Sequence, residues 1–391
     1  MSLLLFKLST LKFFDRALGF FLDYLPIGRT SLPYKTPNKI LIIKLSAMGD
    51  LLCLMPSIRA LSNSFSDSRV DLLTTNRSQP AIFMAIPYLG RILLMPSSPI
   101  GALLFVLRNY ATLKNYDLII DYDQSYRISE FMTLLGRGSA GFSTHRKGRR
   151  FSVRVEYGTA TNEKVNFFSL SEGACKHYQK TIAPLDPILP ELLDGFCAST
   201  ELLEYTRDNI RLDTPTVIIY PGSSSNAEFR RWPITDYLSL AEELARHDVK
   251  IIFAGGPDEI PIKTHLATYD CFVDWIDKWT LLEWGWLFKN SNALFVGSDG
   301  GLFHLADLLG TLSISIFGPS SETKWGSLNP LSVSVATPLS CRPCIKGYLS
   351  EVPQECWKGS RECLTSISHL DIVRRIFAHF GLPEDTKAGE P

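Results

Sequence analysis

Short apolar runs alternate with segments of helical length along most of the chain. The first apolar run, residues 39–44, leads through a turn that contains Gly49 into a helical pattern over residues 51–61. Continuous apolar runs of this length are typical of strands that are buried on both faces of a sheet. Alternating strands and helices predict a parallel, doubly wound α/β fold. Further strands are predicted at 70–74, 92–95 and 117–121, with a helix at 101–113.

The alternation begins again after a boundary at Asp213, Thr214 and Pro215. Strands are predicted at 216–220, 250–254, 293–297 and 313–317, and helices at 234–246, 279–289 and 302–309. We therefore expect two Rossmann-like domains that face each other across a cleft, which is the expected ligand site. The predicted divisions are an amphipathic segment with a linker at 1–38, domains at 39–210 and 211–370, and a closing helix with a tail at 371–391.

One turn of the second domain is suited to a phosphate group. Residues 298–301, with the sequence SDGG, separate a predicted strand from a predicted helix. The first N–H groups of a helix have no intrahelical partner, and its N-terminus carries about half a positive charge, so this junction can hold an anion. Asp299 and His304 are the polar side chains that can face a ligand there. The alternative is an ordinary turn in which Asp299 caps the helix.

Composition narrows the class of protein. The chain has 391 residues, of which 45% are hydrophobic, and 40 basic residues balance 40 acidic ones. This balance gives no reason to expect a nucleic-acid partner. We expect no transmembrane helix, because no apolar run is long enough. Residues 2–25 are rich in Leu and Phe with interspersed charges, and predict an amphipathic helix. That helix either lies on a membrane surface or docks on the protein's own core or on a second subunit.

Five motifs follow predicted strands in order along the chain. They are ILIIKLSAMGD at 40–50 with MPSIRAL at 55–61, PGS at 221–223 with RRWP at 230–233, AGGPDE at 254–259, SDGGLFHLA at 298–306 and FGPS at 317–320. As an ordered set they resemble glycosyltransferase family 9, the ADP-heptose:lipopolysaccharide heptosyltransferases, over residues 39–380. The resemblance implies a GT-B fold and an inverting sugar transfer, with a nucleotide-diphosphate sugar held by the C-terminal domain.

The resemblance also implies roles for single residues. Asp50 matches the proposed base, which takes the proton of the acceptor hydroxyl. Its alternative role is to cap the helix that begins at Leu51. Arg230 stands where the family often has Lys, and it can bind phosphate bidentately. Glu259 matches a position that contacts the nucleoside, and its alternative is a solvent-facing helix start. The other predicted donor contacts are Ser224, Ser225, Asp299, His304, the backbone N–H groups of Gly300, Gly301 and Leu302, and the ammonium of Lys44 as a phosphate contact.

The implied activity is the transfer of a heptose, or a related sugar, from ADP-heptose to a lipopolysaccharide core or a similar lipid-linked saccharide. A sugar-nucleotide epimerase or hydrolase of the same fold, and a catalytically silent sugar-nucleotide binding module, are the alternatives. The core reaction is expected to need no cofactor, and the protein to be cytoplasmic and peripheral on the inner membrane. The family's Thr or Ser after the aspartate is Gly300 here, so the resemblance leaves the sugar open.

Three further segments carry chemistry-bearing residues. The basic segment 143–168 is predicted as a long surface loop, and it contains His145 and Arg146. Asp121 and Asp123 follow a strand and are predicted as capping or surface residues rather than metal ligands. The spacing of Cys341, Cys344, Cys356 and Cys363 is compatible with a zinc site, with a redox-sensitive pair, or with reduced thiols in a loop.

Overall fold

The structure is a computed structural model that divides into two compact units. The first comprises residues 1–186 with 348–350, and the second comprises 187–347 with 351–391. Residues 187–210 thus belong to the second unit. The described residues are 15, 17–20, 22–24, 35–45, 47–84, 86–124, 126–144, 147–210, 214–223, 225–347, 351–353 and 355–383, without the side chains of 208, 209 and 225–227.

A parallel six-stranded sheet forms the centre of the first unit. Its strands are β1 Lys39–Ile43, β2 Arg69–Thr74, β3 Ile92–Leu94, β4 Leu118–Asp121, β5 Ser139–Ser143 and β6 Val153–Glu156. Its helices are α1 Met48–Ser64, α2 Pro99–Lys114, α3 Arg127–Thr133 and α4 Glu163–His177, with 3₁₀ turns at Asn76–Ser78 and Pro80–Phe83. Alternate residues of β1, such as Leu41 and Ile43, pack with α2 and α3 in one hydrophobic core. Burial of both sheet faces explains the continuous apolar runs of the sequence.

The second unit repeats this design. Its strands are β7 Thr216–Tyr220, β8 Lys250–Gly255, β9 Val273–Ile276, β10 Leu294–Ser298, β11 Ser313–Phe317 and β12 Val333–Ala336. Its helices are α5 Thr200–Asn209, α6 Ile234–Ala245, α7 Lys263–Leu266, α8 Leu281–Asn290, α9 Gly301–Leu308, α10 Glu322–Trp325, α11 Glu362–Thr365 and α12 His369–Phe380. Its 3₁₀ turns are Pro190–Leu193, Ser225–Arg230 and Pro257–Ile262.

Strand order confirms the predicted fold class in both units. The sheets run β3-β2-β1-β4-β5-β6 and β12-β11-β10-β7-β8-β9, with all neighbours parallel. The order of strands reverses between β1 and β4 in the first sheet, and between β7 and β10 in the second. Ligands of such sheets bind at the carboxyl ends of the strands at these reversal points.

The prediction of a surface loop over 143–168 is wrong. This segment contains β6 and the start of α4, and Lys147 is fully buried against Asp121, with Nζ 2.7 Å from Oδ2. A buried ion pair needs further hydrogen bonds, and Lys147 donates one to the hydroxyl of Ser129 at 3.1 Å. His145 and Arg146 lie outside the described residues.

The closing helix α12 is present at the predicted residues. Its residues Ile372, Ile376 and Phe377 belong to the core of the second unit, together with Leu240 of α6.

The described part of the N-terminal segment docks on the first unit. Residues 15, 17–20 and 22–24 are helical. The buried Asp15 carboxylate accepts backbone N–H groups of Arg127 at 2.9 Å and Ile128 at 3.1 Å, and so caps α3. Leu22 is buried as well. These contacts support docking on the protein's own core. Among the residues that the structure describes, no helix has both the length and the apolar character needed to cross a bilayer.

Candidate active site

A buried ammonium group organises the reversal point of the first sheet. Lys44 follows β1, and its Nζ lies 3.2 Å from Oδ1 of Asp50 and 3.4 Å from Oδ1 of Asp123. It also donates to Oε1 of Gln124 at 3.3 Å. Burial alone would lower the pKa of Lys44, but Asp50, Asp123 and Glu163 together raise it above its ordinary value. The group therefore stays charged at any working pH.

Asp50 is the member of this cluster that can meet a ligand. Its side chain is 23% exposed, whereas that of Lys44 is completely buried. Burial raises the pKa of Asp50, and Glu163 and Asp123 add to the rise, although Lys44 opposes it. A carboxylate with a raised pKa is a better proton acceptor near neutral pH.

Local backbone geometry positions Asp50. Helix α1 begins at Met48 rather than at the predicted Leu51, so Asp50 lies in the first turn and does not cap the helix. The cap residue is Ala47, which has a positive φ of 44°. Left-handed backbone is unusual for alanine, and such strain often occurs at functional turns.

The sequence did not identify the residues that complete this cluster. Asp123 is buried and accepts the backbone N–H of Leu45 at 2.8 Å. The prediction that it lies at the surface is therefore wrong. Gln124 donates to Glu163, which also accepts the hydroxyl of Tyr157 at 2.7 Å. A signal was available for Asp123, because β4 is expected beside β1 in a Rossmann-type sheet.

Asp121, the last residue of β4, is also buried. Burial raises the pKa of Asp121 to about 7 even though Lys147 opposes the rise. Neither aspartate belongs to a metal-binding group, since the described part of the chain contains no cluster of three or more candidate ligands.

The reversal point of the second sheet carries the predicted phosphate turn. Asp299 follows β10, and its carboxylate lies 3.4 Å from Nε2 of His304 and 3.7 Å from Nη1 of Arg230. Gly300, not Asp299, caps α9. Burial opposes ionisation of Asp299, but the hydrogen bond from His304 and the charge of Arg230 hold its pKa below the ordinary value. The structure thus brings together Asp299, Gly300, Gly301, Leu302, His304 and Arg230 at one helix N-terminus.

The guanidinium of Arg230 can bind a further group. Its side chain is partly exposed, and its distance to Asp299 is longer than that of a direct hydrogen bond. Its buried Nε has no hydrogen-bond partner among the described residues. Such groups in a native protein usually signal a missing partner.

Glu259 lies in the neighbouring turn after β8. It is buried, so it is not the solvent-facing helix start that was the alternative to a nucleoside contact. Its Oε2 accepts the backbone N–H of Gly256 at 2.9 Å, and its Oε1 lies 3.7 Å from Arg231. Burial raises the pKa of Glu259 to about 7, although Gly256 and Arg231 oppose the rise.

Tyr220 explains why position 300 is glycine. A Cβ atom at Gly300 would lie 2.9 Å from Cε1 of the Tyr220 ring and 3.3 Å from its hydroxyl. A Cβ at Gly222 would lie 2.5 Å from Cε2 of the same ring. The ring therefore occupies the space between the two glycine turns, where a hydroxyl-bearing residue at position 300 would need room. The sequence showed the missing hydroxyl but not the ring that replaces it.

Two sets of predicted donor contacts remain untested. Ser224 and the side chain of Ser225 lie outside the described residues. The predicted phosphate contact of Lys44 stays a prediction, and its ammonium is buried against carboxylates. Cys341, Cys344, Cys356 and Cys363 line one small cavity in the second unit. Their arrangement does not fit a metal ion, since no described set of three candidate ligands is close enough to hold one.

Substitution of Gly300 by Ser should destabilise the second unit by about 1–3 kcal/mol, because the new side chain overlaps the Tyr220 ring. All seven tryptophans lie between Trp232 and Trp357, so tryptophan fluorescence during urea unfolding reports on this unit alone. The double variant with Tyr220→Leu should recover part of the loss. Gly195→Ser is the matched control, since nothing lies within 4 Å of a Cβ there. Equal stability of the Gly300→Ser and Gly195→Ser variants would refute this explanation.

Substitution of Glu259 by Gln should have an effect that depends on pH. The carboxyl pKa is raised from 4.5 to about 7 in the folded state, so burial of the charged form costs stability as pH rises through this window. The Gln variant avoids this cost. Its stability relative to wild type should therefore grow between about pH 4.5 and pH 7, by at most about 3 kcal/mol, and stay constant above. Urea unfolding monitored by tryptophan fluorescence measures this, with the exposed Glu204→Gln as control. A difference that does not vary with pH would contradict the assigned burial cost.

Comparisons with known proteins point to one family. The sequence profile of Glycosyltransferase family 9 (heptosyltransferase) matches residues 107–352, which is more than half of the chain. A comparison with curated proteins finds no match.

Solved structures share the fold at low sequence identity. A glycosyltransferase family 9 protein from Veillonella parvula is 15% identical with a TM-score of 0.68, over 90% of this chain and 99% of that one. The ADP-heptose lipopolysaccharide heptosyltransferase II of E. coli is 18% identical with a TM-score of 0.65, over 88% and 98%. The E. coli heptosyltransferase WaaC, solved with ADP-2-deoxy-2-fluoro heptose, is 17% identical with a TM-score of 0.62, over 87% and 99%. With this fold and the family match over more than half of its length, the chain belongs to glycosyltransferase family 9.

Proposed function

We propose that this glycosyltransferase moves a heptose, with inversion, from ADP-heptose to a lipid-linked saccharide such as a lipopolysaccharide core. The observation that carries the proposal is the half-buried Asp50, which is held by a buried lysine and has a raised pKa. Membership of the family and the heptosyltransferases among the solved structures support the choice of sugar and nucleotide.

Asp50 acts as the base in this proposal. An acceptor hydroxyl is a weak nucleophile until its proton is removed as the new bond forms. The Asp50 carboxylate accepts this proton, and the ammonium of Lys44 keeps the carboxylate in one orientation without being exposed itself. Asp123 and Gln124 hold Lys44 in turn.

The second unit binds the donor and stabilises the leaving diphosphate. The N-terminus of α9 contributes about half a positive charge, and its first N–H groups can donate to phosphate oxygens. A diphosphate carries about two or more negative charges at neutral pH, so at least one cationic side chain is needed as well. Arg230 meets this need, because its Nε has no hydrogen-bond partner in the part of the chain that the structure describes and its contact with Asp299 is long.

Inversion requires the base and the leaving group to act on opposite sides of the reacting sugar carbon. A base on the first unit and a diphosphate site on the second are compatible with this division of roles. No step of the proposed transfer passes through the cysteine cluster. A cytoplasmic location on the inner membrane belongs to the same proposal, since a lipid-linked acceptor is found at a membrane.

Substitution of Asp50 by Asn should lower kcat for heptose transfer by about 10²–10⁴-fold, because the amide cannot accept the hydroxyl proton. The affinity for the donor should stay within about twofold, since the donor site lies in the second unit. A coupled assay of ADP release measures kcat, and calorimetry measures donor binding. Asp67→Asn, at an exposed position of the first unit, is the control. Transfer at the wild-type rate by folded Asp50→Asn would exclude Asp50 as the base. ADP release without an acceptor would favour a hydrolase.

A thermal-shift panel of ADP-, UDP-, GDP- and CDP-sugars tests the donor. Only ADP-heptose is expected to stabilise the folded protein strongly, since a ligand stabilises the state that it binds. Arg230→Met should weaken donor binding by about ten- to a hundredfold through loss of charge-assisted contacts. The control is Arg246→Met, at the exposed position directly after α6. If another nucleotide sugar stabilises the protein instead, ADP-heptose is not the donor. If none of them does, the proposed function is rejected.

A further inference from the structure

Helix α2 has apolar side chains on two opposite sides. Its inner side is buried in the core of the first unit through Ala102, Val106 and Leu113. Five large apolar side chains on its outer side are between 43% and 73% exposed, and they are Ile100, Leu103, Leu104, Leu107 and Tyr110. Their spacing places them on one face of the helix, which we call the outer apolar face. A surface helix normally carries polar residues there, and contiguous exposed apolar groups mark an interaction site.

The charges around the outer apolar face have one sign. No Asp or Glu occurs from Arg91 to Tyr116, a stretch that contains Arg108 and Lys114. Both of these basic side chains are exposed, and neither forms an ion pair with a carboxylate in the described part of the chain. The Lys114 ammonium lies 5.3 Å from the centre of the Tyr110 ring, so a positive charge lies directly at the apolar surface.

Two other elements of the first unit also expose apolar side chains. Strand β3 is the edge strand of the sheet and precedes α2 in the chain, and its Leu94 is exposed. Leu18 of the docked N-terminal segment packs against the core that α2 completes. The same segment exposes Phe20 and Tyr24, whose ring centres are 4.6 Å apart. The stretch from Arg91 to Tyr116 thus combines leucine, aromatic and basic side chains without an acidic one, which is typical of surfaces that lie on a lipid bilayer.

We propose that the outer apolar face of α2 docks on the surface of a membrane that contains anionic phospholipids. The acyl layer receives the leucine side chains, and the phosphate groups pair with Arg108 and Lys114. A second copy of the chain fits less well. A symmetric dimer would bring Arg108 and Lys114 of both copies to one interface, to which this face contributes no acidic partner. The inference deepens the membrane location that the proposed function includes, but it rests on this surface and not on the sugar site.

Flotation with vesicles of phosphatidylglycerol and phosphatidylcholine in equal parts tests the proposal, with the full chain and no sugar donor. The wild type should bind these vesicles, and binding should weaken as salt is raised. The double variant Leu103→Glu/Leu107→Glu should lower the partition coefficient at least about tenfold. Arg108→Gln and Lys114→Gln should each lower it about fivefold, and pure phosphatidylcholine vesicles should show neither effect of charge.

A matched control exists in the second unit. Leu203 and Leu331 are 44% and 71% exposed, close to the 44% and 64% of Leu103 and Leu107. The variant Leu203→Glu/Leu331→Glu should therefore bind vesicles like the wild type. Thermal unfolding checks that all variants are folded, and ADP-sugar binding checks that the donor site is unchanged.

Three results would overturn the proposal. One is equal vesicle binding by wild type and Leu103→Glu/Leu107→Glu. Another is a change from dimer to monomer in that variant, measured by analytical ultracentrifugation, without a change in vesicle binding. The third is loss of binding on deletion of residues 2–14 together with no effect of the α2 substitutions. Failure of sugar transfer alone would leave the vesicle result intact, so the two proposals can be separated.

Discussion

Burial of the Lys44 ammonium is the constraint on which the first unit's candidate site depends. A buried charge is tolerated only when carboxylates and other acceptors surround it, and here Asp50, Asp123 and Gln124 do so. Asp50 comes from the first turn of the helix that follows β1, and Asp123 and Gln124 come from the loop that follows the neighbouring strand β4. The same need for compensation that stabilises this edge of the sheet therefore also holds the Asp50 carboxylate in place, while burial raises its pKa against the opposing charge of Lys44. Stability and the proposed chemistry share one set of contacts.

The second unit also has to stabilise a buried charge, which is negative rather than positive. Here Asp299 is the buried charge, and His304 and Arg230 compensate it. Compensation by Arg230 is incomplete, since the contact is long and Nε lacks a partner among the described residues. A phosphate group can complete it. Both units thus place a charged cluster where the strand order reverses, which is the place that the topology of a doubly wound sheet leaves open.

Sequence patterns predicted most of the central strands and their glycine turns, because continuous apolar runs identify strands buried on both faces. Motif positions also placed Asp50, Asp299 and Arg230 at the turns where the structure has them, and their roles stay predictions. Sequence patterns failed for Lys147, since a buried lysine in a basic segment has the same sequence signal as an exposed one. The pairing of Lys147 with Asp121 depends on a contact across 26 residues. Tyr220 was missed for a similar reason, because only the packed structure shows that its ring fills the space beside Gly300.

The cap that Asp15 places on helix α3 has a consequence for biosynthesis. The carboxylate and the N–H groups that it accepts are 112 and 113 residues apart in the chain. At about 5–20 residues per second, the ribosome needs roughly 6–20 seconds to make the partner after it has made Asp15. During that interval an N-terminal segment rich in leucine and phenylalanine has no helix to cap and no core to cover it. The segment around Asp15 can therefore reach its native place only after α3 has been synthesised, and until then a chaperone or a membrane surface can shield its apolar side chains.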